Sequence, residues 1–318
     1  MFKNLIKEEN GQSLVLVAVS IIALIGFAGL AIDGGRLYLA KSQLQKAVDA
    51  GALAGADVLL KKLVEGPVSQ TEYDLAKDEA GKIAGNNYTS NVPYTPKAYR
   101  DGPDYVEVYG EEDIQLFLMP VLNLTNSKVS AFAKVKIGNV NKFGKSNVIP
   151  IGVHLNEELE FGDPWKLLYG PGDGKKGNYG FLDFSKLENP PQNKSGAKDV
   201  AEYFTKGSPI DMEINKTTIQ TVTGSFVSSN HIQNAIENII NSGGIVYVPI
   251  VTQFGVQDEF DDSNGQDKVM VIGFAAFKVT GYNKDTHQID AEFQRMILPG
   301  EIGDETSEYG TFISKLVM

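Results

Sequence analysis

Two short runs hold the side chains best suited to chemistry. In residues 258–267, DEFDDSNGQD, Asp258, Glu259, Asp261, Asp262 and Asp267 gather hard carboxylate oxygens of the kind that suit calcium. The full Asp-x-Asp/Asn-x-Asp/Asn-Gly loop with a glutamate at its twelfth position is not spelled there. The run therefore reads as a solvated hairpin tip or a weak calcium site. Residues 170–180, GPGDGKKGNYG, have the glycines of a phosphate loop, but no Ser or Thr completes Gly-x-x-x-x-Gly-Lys-Ser/Thr. An exposed turn, or a loop gripping a neighbour, is expected instead of nucleotide binding. His154, His231 and His287 lie far apart without a zinc spacing, and neither a Gly-x-Ser-x-Gly elbow nor a cysteine occurs. Metal hydrolysis, serine or thiol catalysis and a disulfide framework have no residues to carry them, so neither an enzyme nor a cofactor or metal is expected. Trp165 beside Pro164 reads as packing rather than a glycan platform.

The elements that would position such residues are announced by charge and hydropathy. The 318-residue chain has a net charge of -11, while Lys3 and Lys7 cancel Glu8 and Glu9 in its head. The acid excess belongs to the chain beyond the apolar segment. No Lys/Arg cluster offers the cations that a phosphate backbone needs, so no nucleic-acid partner is expected. Residues 14–32 are nearly all aliphatic, carried by Leu14, Val15, Leu16, Ile21, Ile22, Leu24, Ile25, Phe27, Leu30 and Ile32. As a helix they reach roughly 28 Å, close to the ~30 Å of bilayer hydrocarbon. Gly29-Leu30-Ala31 has the form of a signal-cleavage site, yet the apolar run exceeds the about 7–15 residues usual for a signal. The prediction is a single retained span over 13–35, a cytoplasmic head over 1–12, and a body outside the membrane, because long domains translocate largely regardless of flanking charge.

Asp33, Gly34, Gly35 and Arg36 sit where the span should leave the bilayer. Glycine permits a bend, and the two charges belong among headgroups or in an ion pair to a neighbouring subunit, so a joint is expected. Beyond it, Leu37, Leu44, Gly51 and Val58 recur every seven residues, with Ala40, Ala47 and Ala54 three positions later. Gly51 and Gly55 add a small-xxx-small step, which lets two backbones approach closely. This stripe is expected to pack against the chain's own sheet, or against other copies or partner subunits.

The run GQSLVLVAVSIIALIGFAGLAIDGGRLYLAKSQLQKAVDAGALAGA, residues 11–56, resembles the N-terminal segment of Tad (Flp) pilus-assembly proteins of the TadE/TadG-like kind. Gly11, the stretch 29–38 and the helix 44–56 carry the likeness. It implies a membrane-anchored, non-catalytic pilus-assembly component or minor pilin-like subunit, whose partners are other pilus components or copies of itself. Two features depart from the pattern. Cleavage after Gly11 would place Leu16 where pilin processing has a glutamate, and the Asp-x-Ser-x-Ser adhesion motif of larger relatives is missing. The phrases GPG…YGFLDF and VIGFAAF resemble stretches that come after the same anchor in TadG-related proteins of Gram-positive bacteria. A tethered surface-binding ectodomain, independent of a pilus, is the first alternative, and an envelope enzyme whose separated residues converge in space is the second.

The fold class expected is α+β. Gly66-Pro67 ends the long helix, and Ser69 to Glu72 spells a capping box opening a second helix to about residue 87. Next comes a loop bearing Pro93, Pro96 and Pro103. Alternation then marks strands, with Val106 and Val108 on one face and Val129, Ala131, Ala133, Val135 and Ile137 on another. Residues 36–137 thus form a pilin-like unit in which the long helix packs on a small sheet. Residues 138–147, GNVNKFGKSN, read as a linker. Residues 148–318 read as a second, extracytoplasmic α+β domain, with buried strands in VIPIGVHL, GGIVYVPIVTQF and KVMVIGFAAFKVTGY. HQIDAEFQRMIL is the hairpin partner of the last. A helix capped by Ser229 buries Ile232, Ala235, Ile236, Ile239 and Ile240 and ends at Gly243-Gly244.

Overall fold

No proline interrupts the chain before Pro67, and the first element, α1 (Glu9–Glu65), is one helix of 57 residues. At 1.5 Å per residue it is about 85 Å long. The computed structural model of the protein describes residues 9–88, 92–146, 148–154, 160–168, 178–192, 196–223, 229–252, 268–283, 285–286, 288–298, 300–302 and 309–317. The acidic run 258–267, His287, residues 1–8 of the head and residues 170–177 of the glycine run lie outside them.

The joint expected at Asp33, Gly34, Gly35 and Arg36 does not interrupt α1, which stays helical across all four. A missing Cβ leaves the backbone amides free to keep their partners one turn back, so glycine permits a bend without requiring one. The helix begins at Glu9, within the expected head.

α2 (Gln70–Asn87) starts at the expected capping box. Ser69 N–H and Oγ donate to Glu72 Oε2 at 2.8 and 2.6 Å, and Ser69 Oγ accepts from the Thr71 amide at 3.3 Å. Its buried residues, Tyr73, Ala76, Ala80 and Ala84, form a stripe of mostly small side chains against α1. A Cβ on Gly51 would lie 2.5 Å from Ala80 O, and one on Gly55 2.7 Å from Ala76 O. The two backbones therefore meet where both helices are smallest, and the chain's own α2 fills the contact that the small-xxx-small step demanded.

Three antiparallel strands cover the helix pair: β1 (Tyr94–Arg100), β2 (Asp104–Gln115) and β3 (Asn126–Phe143). Part of the proline-bearing loop is thus β1; Pro96 is tolerated because β1 is an edge strand paired only with β2. Val106, Val108, Val129, Ala131, Ala133, Val135 and Ile137 are buried against α1 and α2, as their alternation predicts. The expected linker at 138–147 is largely strand instead. β3 runs on to Phe143, and Val140 and Phe143 are buried in the next core, where Phe143 meets Phe274 at 4.8 Å.

The distal unit contains β4 (Pro164–Lys166), β5 (Asn178–Leu182), α3 (Ala197–Lys206), β6 (Met212–Glu213), β7 (Thr218–Thr223), α4 (Asn230–Asn241), β8 (Ile245–Val251), β9 (Lys268–Asn283) and β10 (Gln288–Gln294). Its sheet has the order β4-β10-β9-β7-β5, with β8 also on β9. Helix α4 begins at Ser229 as expected and buries Ile232, Ala235 and Ile236, while Gly243 and Gly244 take positive φ beyond its end. Residues 148–153 are buried and make single bridges to residues 181, 247 and 250, so this stretch is core without being a regular strand. Trp165 packs against the distal core.

The chain then returns to the first unit. After β11 (Met296–Ile297) and β12 (Glu301–Ile302), β13 (Thr311–Val317) pairs antiparallel with β3 from Phe312 opposite Asn139 to Val317 opposite Lys134. The first sheet has the order β1-β2-β3-β13-β11, so the distal unit is an insertion between two neighbouring strands of the near unit. The expected division into 36–137 and 148–318 is corrected accordingly: residues 311–317 belong to the near sheet.

On the face of β2 opposite Val106, Glu107 meets Lys134 at 2.9 Å and accepts from Tyr99 Oη at 2.6 Å. Burial pushes its carboxyl up, but the Tyr99 hydroxyl and the Lys134 ammonium outweigh that and hold it below the ordinary glutamate value. A lowered folded-state pKa contributes stability that is present above the unfolded value and lost as pH falls through the folded one. Glu107→Gln should therefore flatten the fall in thermal stability as pH drops below the ordinary glutamate range, measured against wild type by melting. Gly51→Ala should lower stability by about 1–3 kcal/mol through overpacking against α2. Gly34→Ala has nothing within 4 Å of the added methyl; it should be neutral or stabilise by up to about 1 kcal/mol. Melts of the full chain in detergent compare the two.

Candidate membrane junction

α1 has two halves with different surroundings. Every anchor side chain, from Leu14, Val15 and Leu16 through Ile21, Ile22, Leu24, Ile25 and Phe27 to Leu30 and Ile32, is exposed, the values running from 48% at Ile32 to 74% at Leu14, so no part of the described body covers them. Among the described residues this is the only helical segment long and apolar enough to cross a bilayer. Further along, Ala40, Leu44, Ala47, Gly51 and Gly55 are buried, while Leu37, Ala54 and Val58 are half-buried. Val48, Ala52, Ala56, Leu59 and Leu60 are buried too, so the packed face is wider than the heptad stripe and includes positions its spacing left out. A wider stripe is the consequence of a helix that packs on a sheet and a second helix together.

At the change between halves stands Asp33, only 2% exposed. Its carboxylate accepts three consecutive backbone amides of the β2–β3 connection: Phe117 N at 2.6 Å on Oδ1, and Leu118 N and Met119 N both at 2.9 Å on Oδ2. These amides lead into a short 3-10 turn, Met119–Leu122, whose first N–H groups have no partner within the turn. A carboxylate suits them because its oxygens accept several hydrogen bonds at once, each strengthened by the charge. One helical turn earlier Gly29 is buried, and a Cβ there would sit 3.0 Å from Leu118 Cβ. Gly29 gives the connection room and Asp33 holds it.

Asp33 is therefore neither a headgroup contact nor an ion pair to a neighbouring subunit. Arg36 is exposed, and Gly34 and Gly35 face open space. Phe117, Leu118 and Met119 are the residues that reasoning from sequence alone missed. Their signal is an uncharged apolar stretch, LFLMPVLNL, placed where two strands must turn.

Two more side chains of α1 fasten the same hairpin. Lys41 Nζ donates to Ser130 O, and Gln45 Nε2 donates to Phe132 O at 2.9 Å. β13 pairs with β3 as far as Lys134, and among the described residues no strand lies on the β3 edge beyond it. Asp33, Lys41 and Gln45 recur at multiples of four along α1, placing them on one flank of the helix. The latter two cover carbonyls that would otherwise be a free sheet edge.

His154 Nδ1 lies 3.1 Å from Val251 O, and the His231 backbone amide donates to the capping Ser229 Oγ at 3.3 Å.

Residues 11–58 match the protein family described as Tad, putative Flp pilus-assembly TadE/G-like. The matched stretch holds the span, Gly29, Asp33, Gly51 and Gly55, and it stops before α2. No curated protein and no solved structure matches the chain.

Asp33→Ala should release the three amides while leaving α1 helical. Hydrogen exchange at Phe117, Leu118 and Met119, read by mass spectrometry on the chain in nanodiscs, should then quicken by at least about tenfold, since each bond to a charged acceptor contributes about 1.5–3 kcal/mol. Unchanged exchange there would show that Asp33 does not hold the connection.

Proposed function

We propose that the protein is a single-span, non-catalytic component of a Tad-type pilus system, acting as an adaptor between membrane and filament or as a minor pilin-like subunit. The match of residues 11–58 to the pilus-assembly family supports this most directly, because it covers the segment in which a bare apolar half-helix passes into a packed one. In this reading the 14–32 half holds the protein in the bilayer. Residues 37–60 build the body around the same helix, with no flexible linker between. The head faces the cytoplasm and the acidic body lies outside, where it meets other pilus components or further copies of the chain. The work assigned to the body is mechanical and recognitive, and no residue is given a catalytic part.

Intact-mass measurement of the protein from membranes and from sheared surface filaments tests this. The expected species begins at Met1 and stays with the membrane, since cleavage after Gly11 would leave Leu16 in the place of the processing glutamate. A species beginning at Gln12 in filaments would make it a processed subunit. One beginning near Ile32 in the medium would overturn the anchor.

A further inference from the structure

The β2–β3 connection is apolar where a solvent-facing turn would be polar. No charged residue occurs from Ile114 to Ser127, and Phe117, Val121 and Leu124 are 69%, 83% and 51% exposed. The nearest charges, Asp113 and Lys128, face each other across the ladder at its base. The described body covers none of the three exposed side chains, and water is a poor neighbour for so large an apolar tip.

The position of the tip says what covers it. Leu118 rests on Gly29, three residues inside the end of the predicted span, or about 4.5 Å below Ile32 at 1.5 Å per residue. The tip thus lies beside α1 at a depth where α1 itself is already bare and apolar.

Its backbone is prepared for such a place. Hydrocarbon tolerates irregular backbone only where its polar groups are satisfied within the protein. The amides of Phe117, Leu118 and Met119 go to Asp33. Leu116 N donates to Thr125 O, Val121 N to Leu118 O, Asn123 N to Pro120 O and Leu124 N to Met119 O. Residue 120, being proline, has no amide to satisfy. A turn that met only water would not need this.

We propose that the β2–β3 tip is a second membrane contact, in which Phe117, Val121 and Leu124 enter the leaflet on the body's side next to α1. The proposal rests on α1 spanning the bilayer. It gives the body two points of attachment, so the near unit stands at a fixed height and a fixed rotation about α1.

The chain lacks cysteine, so a single introduced one can carry an environment-sensitive fluorophore. Val121→Cys, Ile22→Cys and Lys77→Cys, each in the full chain reconstituted into phosphatidylcholine/phosphatidylglycerol vesicles, are compared for quenching by brominated phosphatidylcholine. The expected result is quenching at Val121→Cys of the order seen at Ile22→Cys and several-fold above Lys77→Cys. Adding Phe117→Glu and Leu124→Glu should abolish it at Val121→Cys and leave Ile22→Cys unchanged. Quenching at Ile22→Cys alone would overturn the proposal while the span stands, and would place the tip in water or against another protein surface. No quenching at Ile22→Cys would overturn the span and the proposal with it.

Discussion

A carboxylate that has given up water for three backbone amides sets the register between the long helix and everything folded around it. Burying Asp33 is tolerable only while Phe117, Leu118 and Met119 present their N–H groups to it, because a desolvated charge without partners is costly. The sheet therefore cannot slide along α1. A shift of one turn would set an aliphatic residue or an exposed cation against those amides. Lys41 and Gln45 continue the same line of fastening up the β3 edge. Three polar side chains on one flank of the helix thus align the hairpin on α1.

The small-residue seam acts further along the helix, Gly51 standing about five full turns beyond Asp33. Gly51 and Gly55 against Ala76 and Ala80 bring α2 so close that not even a methyl fits at either glycine, which selects one rotation of α1 about its axis. Translation is set by Asp33 and rotation by the seam. The helix that leaves the bilayer is then already the central strut of the body. Its continuity through Gly34 and Gly35 passes the orientation of the apolar half directly to the near unit.

Much of this was legible in the residues. The apolar half was plain because nothing charged interrupts it, the capping box at Ser69 because its geometry is local, and the faces of β2 and β3 because alternation with period two has no other common cause. The joint was misread because glycine states what a backbone is allowed to do and not what it does. The tail of β3 was hidden by Gly138, Asn139 and Asn141, which look like turn residues while Val140 and Phe143 are buried beside them. The partnership of Asp33 with residues 117–119, and of β13 with β3, joins positions far apart in the chain. No periodicity records such contacts, so they wait for three dimensions.

The insertion of the distal unit between β3 and β13 bears on how the molecule carries load. A body strung on a single linker would transmit a pull through one strand of chain and turn freely about it. Here the unit hangs from two neighbouring strands whose attached ends, near Asn139 and Phe312, lie side by side. A force directed away from the membrane divides between them, and β3 can yield only by shearing along β2 over its whole paired length from Asp104 to Gln115. Tension on the outer unit thus arrives at the bilayer as a pull on a braced, non-swivelling post.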